Sequence, residues 1–146
     1  MDMFKAFAVD ETRLSGGVWH VIDVNADYPV EASEIGDKCA VLVASMDSPK
    51  YRQAVERRMK PHMIRRGSQV DPLVRDTITM EAMAETIILD WKNFEIGGVV
   101  VPYSAAKCVE FLTQPKWVRL RERLMNVIGD TDAFKVQQEA DIVKNS

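Results

Sequence analysis

Only two cysteines occur in the 146 residues, Cys39 and Cys108, and neither lies in a Cys-x-x-Cys spacing or beside a histidine. The local signatures of a zinc site and of a dithiol redox centre are therefore missing, and two unpaired cytosolic thiols filling core are the simplest reading. No run of about 18 uninterrupted apolar residues exists, which excludes an obvious membrane-spanning helix. The opening MDMFKAFAVDETR carries acids where a secretory leader has bases and a long apolar stretch, so neither export nor membrane insertion is expected. Repeats, low-complexity tracts and Gly/Ser linkers are also missing. With 47% hydrophobic residues, the chain is expected to form a single domain around one core.

The familiar catalytic spacings are absent as well. There is no GxxxxGK[ST] phosphate loop, no GxGxxG after a strand, no GxSxG elbow and no HExxH. The two histidines, His20 and His62, have no acid or nucleophile at a spacing that suggests a dyad, so a structural or surface role is expected for both. Convergence of carboxylates in three dimensions stays open, but nothing in the sequence recommends it. The expectation is a binding protein rather than an enzyme, with no cofactor and no metal.

What is present is an uneven charge pattern and a change of hydrophobic period. Residues 1–47 carry nine acids against Lys5, Arg13 and Lys38, whereas residues 48–66 carry Lys50, Arg52, Arg57, Arg58, Lys60, Arg65 and Arg66 against Glu56 alone. Such a block marks either a surface for an acidic partner or a solvated helix face balanced by acids elsewhere in the fold. The first quarter reads as β: Gly17 to Val24 and Lys38 to Ala44 are apolar and β-branched runs that can pair, with a polar loop or short extra strand between Asn25 and Asp37.

After Met46 the period becomes helical. Ser48-Pro49 and Asp71-Pro72 are both helix starts, since a side-chain oxygen can cap free N–H groups and proline at the first helical position forfeits no bond. Tyr51, Ala54, Val55, Met59 and Met63 mark an apolar stripe on a helix that is basic on its wet side and ends near Pro61. Gly67 and Ser68 open a connection. Leu73, Met80, Met83, Ala84, Ile87, Ile88 and Trp91 then predict one long central helix. Phe94-Glu95-Ile96 and Val99-Val100-Val101 flank Gly97-Gly98 like the arms of a hairpin. Ser104 caps a helix with Ala105, Cys108, Val109 and Leu112 on one face. Pro115 starts another, carrying Trp117, Leu120, Leu124, Val127 and Ile128 inward to Gly129, and a last helix is expected from Thr131 through Phe134 to Ala140, fraying at Lys144-Asn145-Ser146.

The large side chains admit two roles. Trp91 and Trp117 lie in register with apolar stripes and are expected in the core, while Trp19 is undecided. Met59, Met63, Met80, Met83 and Met125 also fit stripes, though flexible thioethers suit adaptable binding surfaces. Apart from Tyr51 the basic helix has no aromatics among its bases, so it lacks the stacking platform of a single-strand nucleic-acid binder, and no helix-turn-helix neighbour accompanies it.

The stretch Ala84 to Phe94, then Gly97-Gly98, Val101-Pro102-Tyr103-Ser104 and Phe111-Leu112-Thr113, resembles the core signature of the tail assembly chaperones of tailed bacteriophages. Likeness extends upstream to Gly17-Val18-Trp19, Val43-Ala44 and Ser48-Pro49-Lys50-Tyr51, and downstream to Asp132-Ala133-Phe134 and Lys144-Asn145. The pieces are short; their order across most of the chain carries the resemblance. Members often have an aspartate-rich turn before a single glycine, where this chain has Glu95-Ile96-Gly97-Gly98, and Pro and Glu where Ala105 and Ala106 stand here.

The resemblance implies a protein that binds the long helical tape-measure protein in the host cytoplasm and is absent from the finished virion. Tail tube protein and a second copy of the chain are further partners to consider, and nucleic acid is disfavoured. Two rivals stand beside it: a virion structural or head–tail connector protein, and a nucleic-acid-binding regulator using the basic helix. The expected fold is α+β, with a small N-terminal β element of two or three strands (residues 1–46) packed on a mainly helical body of about five helices (residues 47–146). Arg52, Arg57 and Arg58, with Met59 and Met63 beside them, are the candidate partner-binding residues. Charge reversal at Arg57 and Arg58 is expected to weaken binding without loss of helicity.

Overall fold

Burial of His20, Val21 and Ile22 along Val18–Ile22, and of Ala40, Val41 and Val43 along Ala40–Val43, makes the paired strands one wall of the core. The computed structural model describes residues 1–63 and 70–136. In chain order these form α1 (Met3–Phe7), α2 (Glu11–Gly16), β1 (Val18–Ile22), β2 (Asp27–Val30), β3 (Ala40–Val43), α3 (Pro49–Met59), α4 (Pro72–Thr86), β4 (Ile88–Lys92), β5 (Glu95–Ile96), β6 (Val99–Val100), α5 (Ala105–Thr113) and α6 (Val118–Ile128). Short 3-10 turns occupy Ala32–Glu34, Lys60–His62, Pro115–Trp117 and Thr131–Phe134. The mixed α+β architecture matches the sequence expectation, with a four-stranded antiparallel sheet ordered β2-β1-β3-β4.

The fourth strand is a correction. The apolar spacing predicted one helix from Leu73 to Trp91, but α4 ends at Thr86 and the chain pairs with β3. Ile88 and Trp91 are three residues apart and both buried, which imitates a helical stripe. The cause is a bulge: Val43 opposes Ile88, Leu42 opposes Asp90 and Val41 opposes Trp91, so Leu89 is the extra residue that restores both large side chains to the inner face. Two adjacent β-branched residues, Ile87 and Ile88, favour the extended form once β3 offers an open edge. Asn93 then stops the strand in the left-handed region (φ 62°), its Nδ2 donating to the carbonyls of Gly36 at 3.1 Å and Lys38 at 2.8 Å.

The termini differ from expectation as well. Two short helices precede β1, each capped by an aspartate: Asp2 Oδ1 accepts from the Phe4 N–H at 3.0 Å and Asp10 Oδ1 from the Thr12 N–H at 3.0 Å. The expected last helix is only the Thr131–Phe134 turn, because Lys135 is extended and bridges to Val9, and the Val136 N–H donates to the Ala8 carbonyl at 3.1 Å. Backbone pairing with the N-terminal segment thus replaces helix propagation. The expected continuation to Ala140 and the fraying end at Lys144 to Ser146 lie outside the described residues, as do Arg65, Arg66 and the Gly67-Ser68 connection.

Other expectations hold. Pro61 ends α3 at Met59 and tightens the chain into a 3-10 turn. Asp71 Oδ1 caps α4 through the Leu73 N–H, and Ser104 Oγ caps α5 through the Lys107 N–H. Ser48 occupies the cap position of α3, but its hydroxyl lies 2.9 Å from Ser15 Oγ rather than on the helix N–H groups. Gly97 and Gly98, at φ 59° and 79°, make the two-residue turn that joins β5 to β6.

The core lies between the inner sheet face and α4, α5 and α6, where Val41, Val43, Met83, Ile87, Phe111, Leu112, Leu124 and Val127 are all buried. At its centre Trp91 stacks on Phe94 with 4.8 Å between centroids, and meets Tyr103 edge-on at 4.8 Å. Its Nε1–H donates to the Val101 carbonyl at 2.8 Å. Tyr103 Oη lies 3.0 Å from the Ala84 carbonyl and 2.7 Å from that of Ile88, pinning the junction where α4 becomes β4. Burial pushes the Tyr103 hydroxyl up to about 12, with Cys108 and Asp90 adding to the shift.

Replacing Trp91 by alanine should lower unfolding stability in urea by about 3–5 kcal/mol, whereas Trp91→Phe, which retains a stacked ring but loses the Nε1 bond, should cost clearly less. Equal losses would contradict the central role given to ring packing. Gly17, at φ 85°, would bring an added Cβ to 3.1 Å from Leu42 and Leu89 side-chain carbons. Gly17→Ala should therefore lower Tm, and an unchanged Tm would show that the turn into β1 relaxes freely.

Candidate partner-binding surface

The basic helix α3 packs along α4, and the contact is electrostatic on its outer side. Arg57 Nη2 reaches both carboxylate oxygens of Glu85 at 2.6 Å. Arg58 spans two acids, with Nη1 2.6 Å from Glu81 and Nη2 3.1 Å from Glu85. Glu81 and Glu85 are one helical turn apart, so the two guanidinium groups grip a single acidic ridge. Desolvation raises the Glu85 carboxyl, but the hydrogen bonds and charges of Arg57 and Arg58 outweigh it and hold its pKa below the ordinary 4.5.

The five predicted residues are thus divided by the fold. Arg57 and Arg58 are engaged with α4. Arg52 is exposed, Met59 is partly buried at the end of α3, and Met63 is exposed beyond the 3-10 turn. Tyr51, Val55 and Met59 are half-covered, while Ala54 is the one buried residue of α3.

Three features escaped sequence reasoning. The first is an apolar N-terminal face: Met3, Phe4 and Phe7 on α1 are each more than half exposed, and Val9 continues it. The Ile96, Val99 and Val100 side chains of the β5–β6 hairpin form a second exposed apolar group. The aspartate caps of α1 and α2 were the available signal for the N-terminal helices. The second feature is His20, fully buried on β1, whose Nε2 lies 3.5 Å from Asp130 Oδ2 and whose Nδ1 lies 3.2 Å from the Val18 carbonyl. The acid is 110 positions away in sequence, so no local spacing announces it. The ring is wholly enclosed, and its Nε2 has no hydrogen-bond partner among the described residues although Asp130 lies close by.

The third feature is a groove of about 670 Å³ between α6 and the open end of β1. Ile22, Cys39, Trp117 and Leu120 give it an apolar floor, and Val24 forms one wall. Arg123, also part of the lining, is held with Nη1 2.9 Å from Asp27 Oδ2 and Nη2 donating to the Val24 carbonyl at 2.8 Å. The Cys39 thiol is pushed up to about 11 by burial and the fully enclosed Cys108 to about 12. No cluster of three metal-ligating side chains occurs among the described residues, and no helix among them is long and apolar enough to cross a membrane.

A family model described as YdaY prophage protein matches residues 46–145. No curated protein and no solved structure matches the chain.

Reversing Arg58 to glutamate should lower Tm, because it sets a third carboxylate against Glu81 and Glu85. Adding Glu81→Arg should recover part of the loss, with a coupling of about 0.5 to 1 kcal/mol for partly exposed pairs. Since the Glu85 pKa is depressed in the folded state, its contribution is present above the ordinary glutamate range and is lost as pH falls through the folded value. Glu85→Gln should flatten that acid limb, and an unchanged limb would remove Glu85 from the account.

Proposed function

The chain belongs to the YdaY prophage protein family, and from that premise we propose that it is a tail assembly chaperone, binding a tape-measure protein and keeping it dispersed until tail-tube subunits polymerise around it. The observation that carries this reading is apolar surface left uncovered by the fold: Met3, Phe4 and Phe7 on α1, and Ile96, Val99 and Val100 on the hairpin. Contiguous exposed apolar side chains mark surfaces that meet another protein. A long helical polypeptide aggregates through its own apolar stripe unless that stripe is covered, and a chaperone covers it by offering complementary apolar ground.

The ordered likeness to tail assembly chaperones from Gly17 to Lys144 supports the same reading. Charge argues against the nucleic-acid alternative. Arg57 and Arg58 are already paired with Glu81 and Glu85, which leaves α3 few free bases for a phosphate backbone whose binding grows with each one neutralised. Such a chaperone would act in the host cytoplasm and be missing from the mature particle.

Co-expression with the tape-measure protein of the same prophage should move that protein from the pellet into a soluble complex, and Phe4→Asp with Phe7→Asp should reduce the soluble fraction severalfold. Mass spectrometry of purified virions should find the tape measure without this chain. Abundant chain in virions would favour the structural or connector reading instead, and no rescue from the pellet would discard the chaperone reading.

A further inference from the structure

Asp130 stands at the cap position of the Thr131–Phe134 turn, yet its carboxylate accepts nothing from the N–H groups of that turn. An aspartate so placed ordinarily caps them. Here Oδ2 lies instead 3.5 Å from Nε2 of the enclosed His20, and Asp130 makes no other ion pair among the described residues. The second ring nitrogen, Nδ1, lies 3.2 Å from the Val18 carbonyl. Both nitrogens of His20 therefore face oxygen atoms that can only accept.

A neutral imidazole carries one N–H, so in either tautomer one nitrogen turns a lone pair toward an oxygen. With the proton on Nδ1 the bond to Val18 is made, and Nε2 stays enclosed without a partner. An imidazolium ring donates from both nitrogens and satisfies both. Charge-assisted bonds of this kind run at about 2.7–2.9 Å, so the carboxylate has less than about 1 Å to close. Burial opposes a charged ring, but the Asp130 side chain is 32% exposed, so its countercharge keeps contact with water.

The other charges nearby are placed differently. The strand neighbours of His20, Pro29 on β2 and Val41 on β3, do not titrate, and Tyr28 of β2 stands opposite Val21. A cavity of about 430 Å³ lined by Asp130 also carries Arg13 of α2, Glu31 and Glu34 after β2, and Asp132 and Lys135 of the final turn. On the α6 side, Arg123 is paired with Asp27 and Arg121 donates to the Leu112 carbonyl. Among the described residues Asp130 alone comes within ion-pair distance of the ring.

We propose that His20 and Asp130 form a proton-operated latch, in which uptake of a second proton by the ring draws Asp130 onto Nε2 and fastens the Thr131–Phe134 turn to β1. That turn holds the N-terminal segment: the Asp10 N–H donates to the Phe134 carbonyl at 2.7 Å, Val9 bridges to Lys135, and the Val136 N–H donates to the Ala8 carbonyl. Fastening the turn steadies the base of α1, whatever its exposed Met3, Phe4 and Phe7 go on to meet. A folded state that binds the proton more tightly than the unfolded chain gains stability at low pH and loses it as pH rises through the histidine range. The sign is opposite to that of Glu85, whose contribution disappears in acid.

The test compares the full wild-type chain with Asp130→Asn, which keeps the side-chain shape and removes the charge. Side-chain nitrogen NMR of the folded wild type should show both His20 nitrogens protonated at about pH 5.5 and one at about pH 8, either side of the ordinary histidine range. Hydrogen exchange, corrected for its intrinsic pH dependence and referred to the paired amides of β3, should show the Asp10 and Val136 amides about fivefold better protected at the lower pH. In Asp130→Asn that gain should vanish. A singly protonated His20 at about pH 5.5, unchanged wild-type protection between the two conditions, or an equal gain in the variant would each overturn the latch. Should the variant fail to fold, the two wild-type measurements decide the matter.

Discussion

Everything in the inner layer depends on Trp91 lying flat against Phe94 while its indole N–H reaches the Val101 carbonyl. That one side chain sits on the last strand of the sheet, stacks on the residue that starts the hairpin and bonds the residue that ends it. Phe111 of α5 closes the cluster at 5.4 Å from the Trp91 centroid. Tyr103 then fastens the helix-to-strand junction from the other side. Aromatic pairs add a modest increment beyond the area they bury, but here they also fix the direction in which α5 and α6 leave the hairpin. The groove beside α6 is positioned by that direction.

The charge blocks of the sequence are resolved in an unexpected pairing. Bases of α3 are met by Glu81 and Glu85 of α4, whereas Asp27, from the acidic first third, is met by Arg123 far along the chain. The guanidinium groups that looked most available are thus partly spent on joining two helices. Exposed bases without an ion pair among the described residues lie at Lys50, Arg52 and Lys60 as well as at Lys116 and Arg119, the last two in a segment whose sequence reads as an ordinary amphipathic helix.

Much of the architecture is legible in sequence where the signal is local. Proline after a capping residue starts α3 and α4, Gly97-Gly98 makes the hairpin, and Pro61 ends α3 because its ring cannot follow a helical carbonyl. Legibility fails where tertiary pairing overrides a local pattern. The bulge at Leu89 gives a strand the spacing of a helix, and Val9 captures Lys135 before the last helix can form. The candidate site was less legible still. Arg57 and Arg58 were found as bases but not as bonded ones, and neither the groove nor the His20–Asp130 pair exists at any short spacing. Two of the missed features had local clues: Asp2 and Asp10 each stand where a helix cap belongs.

The strand order carries a consequence for how the family segment is handled. Residues 46–145 contain β4 alone of the four sheet strands, while β1, β2 and β3 all precede that segment. Beside β4, the strand that pairs with it, β3, is itself shielded by β1, and the far border is blunted by Pro29 in β2. A fragment cut to the family boundaries would bare the ladder-forming side of Ile88–Lys92 and half of the aromatic cluster's wall. Self-association through that raw border is the fate to expect of it, so the leading third of the molecule serves to cover the side of β4 that β3 occupies.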